Sequence, residues 1–157
     1  MNITEPTQLE RFLQAIEAQD DEAAEQAAQG LGSMDGEALP ALEQLARHPE
    51  PARRWWAIRG LCFVSDERAT LALIQALNDH DEGVRCAAVL ALGRRRSLAA
   101  LPMLTERLAD PSSWVQAAAA DAMSLIGETA VPTLTLALRD EREAVRVRAA
   151  YALSRLC

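Results

Sequence analysis

An all-α fold of stacked helical hairpins, a right-handed α-α superhelix, is predicted by three observations. The 157-residue sequence repeats itself with a period of about 30 residues. Within each copy the apolar residues recur at the 3.6-residue spacing of a helix, and no segment alternates with the period of a strand. Glycine and proline, seven of each, fall mainly between the apolar stretches, where they punctuate helices. Half of the chain is apolar but only 4% is aromatic, so the core is built from small and aliphatic side chains that let helices approach closely.

The repeat is clearest from Asp79, with Val84-Arg85, Ala88-Val89 and Ala91-Leu92-Gly93 following in fixed frame. The same frame returns at Asp110 with Val115-Gln116, Ala119-Ala120 and Ala122-Met123, and at Asp140 with Val145-Arg146, Ala149-Ala150 and Ala152-Leu153. A degenerate copy lies upstream at His48, Arg54, Ala57-Ile58 and Gly60-Leu61. These stretches predict a first helix, A, in each unit at 52–63, 82–93, 113–126 and 143–156. A second pattern, Leu101-Pro102 with Leu104 and Leu108, returns as Val131-Pro132 with Leu134 and Leu138. It predicts a second helix, B, at 68–78, 98–109 and 129–139, with proline in the first turn, where a missing N–H costs least. Ser97 and Thr129 are candidate N-caps for the last two. Further helices are predicted at 7–18, opened by the capping box Thr7-x-x-Glu10, at 21–29 and at 36–46. The expected organisation is one domain, 1–157, with 1–35 as a helical cap or decayed repeat and 36–157 as repeats, the last a half repeat.

These residues resemble the HEAT-like repeat family, in the short form seen in phycobilisome lyase subunits. The resemblance implies a ladder in which a turn Asp meets an Arg six residues later, between neighbouring repeats. The matching positions are Asp79 with Arg85 and Asp140 with Arg146, while Asp110 with Gln116 and His48 with Arg54 depart from the pattern, so the ladder is expected to be interrupted. As exposed rungs, such pairs are expected to contribute about 0.2–1 kcal/mol each. A hairpin cannot bury its apolar stripe alone, so neighbours must stack and share it.

The charge is polarised: residues 1–50 carry 11 Asp and Glu against 2 Arg, and the remainder carries 12 against 14. A net charge of −7 disfavours a nucleic-acid partner, whose phosphates demand the opposite sign. Three widely spaced cysteines make neither a disulfide framework nor a zinc site. No leader and no apolar run long enough for a membrane span is evident, so a cytoplasmic location is expected. No catalytic, cofactor or metal motif is found, and no cofactor is expected.

Candidate partner-binding residues form three groups. Trp55, Trp56 and Phe63 are aromatic where later copies carry Cys86, Ala87 and Arg94, which suits either a contact hot spot or packing by the N-terminal helices. Gln75, Met103, Glu106, Arg107, Thr133, Leu136 and Arg139 lie on the helix-B face turned from the shared core. The stripe of Val145, Ala149, Leu153 and Leu156 suggests weak self-association or a partner contact. The leading functional expectation is a non-catalytic protein-interaction module or small scaffold that is not itself an enzyme. Two further readings stay open: a lyase subunit or chaperone for tetrapyrrole attachment, and a HEAT-like nucleic-acid-binding protein.

Overall fold

A computed structural model describes residues 5–34 and 36–156. Its regular elements are ten α-helices and three short 3₁₀ turns, and no strand occurs among the described residues. The helices are α1 (Gln8–Glu17), α2 (Asp21–Gly30), α3 (Leu39–Leu45), α4 (Pro51–Leu61), α5 (Glu67–Ala76), α6 (Glu82–Arg94), α7 (Leu101–Arg107), α8 (Ser113–Ile126), α9 (Val131–Ala137) and α10 (Glu143–Ser154). Among the described residues, no helix is long and apolar enough to cross a membrane. The chain clusters into two compact units, Met1–Ala72 and Leu73–Cys157.

In the first unit α1 packs on α2, α2 on α4, and α3 on α4. The predicted capping box is formed: the Glu10 N–H donates to Thr7 Oγ1 and the Thr7 N–H to the Glu10 carboxylate. Phe12, Leu31, Leu42, Ile58 and Leu61 are fully buried at the centre. Gly60 leaves room for Leu42 and Leu31, whose methyl carbons lie 2.8 and 3.0 Å from where its Cβ would stand.

In the second unit the A helices α6, α8 and α10 pack in series, and α7 and α9 pack against them and each other. The core runs through Val84, Leu92, Leu104, Leu108, Val115, Met123, Leu134 and Val145, all at most 1% exposed. At the α6–α8 crossing a Cβ on Gly93 would lie 2.7 Å from both Cα and Cβ of Ala122. The predicted B helices are shorter than expected, because a 3₁₀ turn, Leu98–Ala100 or Glu128–Ala130, occupies the first turn of each before Pro102 or Pro132. The expected N-caps need correcting for the same reason. Ser97 makes no capping bond, and Thr129 lies inside its 3₁₀ turn with its hydroxyl directed to the Ile126 carbonyl. Gly127 (φ 89°) starts that turn in a conformation side chains disfavour.

Candidate functional site

The turns between repeats share one construction. Asp79, Asp110 and Asp140 each accept the N–H two residues on, at 2.9 Å. In the degenerate copy His48 does the same through Nδ1, at 3.1 Å to the Glu50 N–H. The side chain six residues on then donates back to the turn's own carbonyls. Arg54 reaches His48 and Pro49, Arg85 reaches Asp79 and His80, and Arg146 reaches Asp140 and Glu141, at 2.8–3.2 Å. Gln116 keeps the bond to the Asp110 carbonyl at 2.8 Å.

The ladder itself runs from Arg85 to the Asp of the following unit. Its Nε and Nη2 hold the two oxygens of Asp110 at 3.0 and 2.9 Å, and Arg107 Nη1 adds a contact at 3.4 Å. The expectation of an exposed rung is corrected here, because the Asp110 side chain is fully buried. Burial would raise its carboxyl, but the Arg85 bonds, the Ser112 N–H and the charges of Arg85 and Arg107 outweigh burial and hold it below the usual range. Gln116 cannot continue the ladder as a charge. Asp140 is instead clasped by Arg142 at 2.9 Å, which places its carboxyl at about 2. Arg142 also bridges to Glu106 at 2.6 Å.

The aromatic group on α4 is absorbed by the first unit. Trp56 meets Phe12 edge-on at 6.2 Å and Trp55 at 4.8 Å, while the Arg59 guanidinium sits 5.6 Å over the Trp55 ring. Arg59 is paired with Glu25 of α2, and Arg53 with Glu17 of α1 and Glu50. The Arg53 bonds hold Glu17 below the usual carboxylate range. Phe63 is half-buried, with its carbonyl against Gly32. The N-terminal helices therefore cover much of this surface. An open cleft of about 330 Å³ remains beside it, lined by Ile16, Glu17, Arg53 and Trp56 among others. Replacing Trp56 by alanine is expected to lower the stability of this unit by about 2 kcal/mol, read by urea denaturation with circular dichroism. A cost near zero would show that the Phe12 contact contributes nothing.

On the helix-B face, Gln75, Leu136 and Arg139 are exposed, Leu136 by 73%, and Met103 and Thr133 are half-buried. Two candidates already hold partners within the chain. Arg107 donates to the Leu77 carbonyl at 3.0 Å and pairs with Asp110, so it fastens the repeat. Glu106 is engaged by Arg142, which holds its carboxyl below the usual range. Sequence reasoning missed exposed apolar residues on the A helices: Trp114 is 58% exposed and Leu125 49% on α8, and Val147 58% and Tyr151 44% on α10. The missing signal was the outward position of Trp114, four residues past the turn Asp, where the other copies carry Gly83 and Ala144. Among the described residues no cluster of three or more His, Cys, Asp or Glu could hold a metal ion.

A family model described as HEAT repeats matches residues 9–70, 39–124 and 106–157. The chain belongs to the HEAT repeat family. Its fold class is the all-α, repeat-built one expected from the sequence. A relative, phycocyanobilin lyase subunit alpha of Picosynechococcus sp. (strain ATCC 27264 / PCC 7002 / PR-6), is 39% identical over 88 residues. That match covers 51% of this chain and 32% of the relative, so the chain spans about a third of the curated protein. A structure of the complex of CpcE and CpcF of phycocyanin lyase from Nostoc sp. PCC7120 contains a similar chain, with TM-score 0.68 and 24% identity, covering 92% of this chain and 97% of that one. Human deoxyhypusine hydroxylase in complex with glycerol is similar at TM-score 0.53 and 19% identity, over 95% of this chain and 72% of that one. The two structural likenesses establish the fold. The expectation of a non-catalytic module or scaffold is overturned by the lyase-subunit relative.

Proposed function

We propose that this HEAT-repeat chain is a subunit of, or a chaperone-like accessory to, an enzyme that attaches a tetrapyrrole to a carrier protein. The observation that carries this reading is the 39% identity to a phycocyanobilin lyase subunit. The likeness in fold to a chain of a two-protein phycocyanin lyase complex accords with it. The chemistry of the chain suits a role in holding and presenting. Cys86 is buried, and burial pushes its thiol up, so it is a poor nucleophile for storing pigment covalently. Pigment would pass to the carrier while this chain and a second protein subunit hold both in place. The exposed Trp114, Leu125, Val147 and Tyr151 supply surface for such contacts.

The test mixes the purified chain with phycocyanobilin and an apo carrier protein, with and without a second HEAT-repeat subunit of the lyase kind. Covalent pigment on the carrier is read by zinc-enhanced fluorescence after denaturing electrophoresis. The expected result is faster or more selective attachment when this chain is present, and weaker enhancement for Trp114→Ala. Equal attachment with and without the chain, in both mixtures, would overturn the reading.

A further inference from the structure

The cleft of the first unit, about 330 Å³, holds chemistry that neither the repeat core nor the tetrapyrrole reading uses. Ile16 and Trp56, both half-buried, supply its apolar lining, and Glu17, Asp21, Glu50 and Arg53 its charged lining. Three carboxylates therefore share one guanidinium. Arg53 is engaged by Glu17 and Glu50, at 3.2 and 2.8 Å. No cation is found over the Trp56 ring among the described residues. Asp21, exposed at the first position of α2, has no side-chain hydrogen bond or ion pair among them. Edge-on contacts to Phe12 and Trp55 hold the Trp56 ring in place, so little ordering remains to be done when something packs on it.

One residue away on α4 the same chemistry is complete. The Arg59 guanidinium lies 5.6 Å over the Trp55 ring and bonds Glu25 of α2 through Nε at 3.1 Å. An indole from α4 and an acid from α2 thus receive an arginine from within the chain. Trp56 and Asp21 stand on the same two helices, with no arginine of the chain on them. A guanidinium suits such a place better than an ammonium: it is planar, stacks on an indole, sheds water readily and donates in pairs to a carboxylate. The volume lies at the low end for ligand pockets, about 300–1000 Å³, which fits one long side chain rather than a tetrapyrrole. The acids would also repel a tetrapyrrole's carboxylates. Residues 1–50 carry 11 Asp and Glu against 2 Arg, so the field around the cleft draws cations in.

We propose that this cleft receives an arginine side chain from a basic segment of a partner protein. Its guanidinium stacks on Trp56 and bonds Asp21, its aliphatic stem lies against Ile16, and neighbouring bases of the segment meet the acidic surroundings. One cation–π contact and one charge-assisted bond make the isolated segment a weak ligand, with Kd on the order of 1 mM. The inference stands independently of the tetrapyrrole reading.

Proton–nitrogen correlation NMR on the full chain tests it, with the peptide acetyl-Gly-Arg-Arg-Gly-amide as probe. The three tryptophan indoles report separately. The Trp56 indole and the Asp21 amide should move saturably, while the Trp114 indole stays still. The same peptide with citrulline for arginine, equal in shape but uncharged, should leave all of them in place. Asp21→Asn should weaken binding roughly fivefold, and Asp21→Glu, which keeps the charge, should retain most of it. Both variants leave the Asp20 cap of α2 intact, so a lost fold does not explain a difference between them. No movement at about 20 mM peptide overturns the proposal, as does equal binding of the citrulline peptide or binding indifferent to Asp21→Asn. A lysine peptide that binds as tightly overturns arginine as the occupant. Ethylguanidinium that binds as tightly, without a second charge to meet the acidic surroundings, overturns a protein segment as the source. None of these outcomes bears on pigment attachment, which the electrophoretic assay reads separately.

Discussion

Asp110→Ala should destabilise the second unit by about 3 kcal/mol, as measured by urea denaturation at neutral pH. The loss goes beyond one ion pair. Arg85 would keep its bonds to the Asp79 and His80 carbonyls, but its Nε and Nη2 would face a vacated, fully buried site, with its own side chain only 12% exposed. The Ser112 N–H would lose its acceptor and Arg107 its partner. Asp110→Asn keeps an acceptor for Ser112 and should cost less. A pH series separates the charge from the shape. Because the folded carboxyl titrates below its ordinary value of 3.8, its contribution is complete above that value and is lost as the pH falls through the folded one. The wild-type chain should therefore lose stability more steeply in acid than Asp110→Ala. Parallel acid profiles, or a cost under about 1 kcal/mol at neutral pH, would show the pair to be no better than a surface bridge.

Gly93→Val should rival that effect, costing about 3 kcal/mol by the same measurement. The obstacle is the Ala122 main chain, 2.7 Å from the added Cβ, which cannot move unless α8 shifts as a whole on α6. Gly93→Ala sets two effects against each other. Helix propensity favours alanine by about 1 kcal/mol, and the clash should outweigh that gain. Gly60→Ala in the first unit is the contrasting case. There the added Cβ meets the ends of the Leu42 and Leu31 side chains, which can rotate away, so the cost should stay under about 1 kcal/mol. Equal costs at Gly60 and Gly93 would show that backbone proximity is not what decides them.

The helices were legible because each copy carries its apolar residues at helical spacing, and A helices such as α8 (Ser113–Ile126) fall where that spacing ends. The B helices were read too long, since an apolar pattern does not distinguish a 3₁₀ turn from an α-helical one at Leu98–Ala100. The ladder positions could be named, yet not their pairing: Arg85 and Asp110 lie 25 residues apart, and nothing local tells Arg85 to choose the following turn's carboxylate over its own. His48 looked like a lost Asp because residue type hides the shared geometry, an acceptor placed two residues before an N–H. The surface was least legible. Trp55 and Trp56 stood out as aromatic but pack within their unit, whereas Trp114 passed unnoticed in a run of alanines and is 58% exposed. Burial of one helix face depends on which neighbour covers it, and a single sequence does not carry that information.

The arginines at the inter-repeat turns address main-chain carbonyls, which every residue type provides. The turns they fasten read His48-Pro49, Asp79-His80 and Asp140-Glu141, so one clasp accommodates an imidazole, a carboxylate, a proline or a second acid. Such a turn tolerates mutation at its second position, while the acceptor at its first and the six-residue reach to its anchor stay fixed. New surface chemistry can therefore be written onto these corners one residue at a time, without renegotiating how the helices stack.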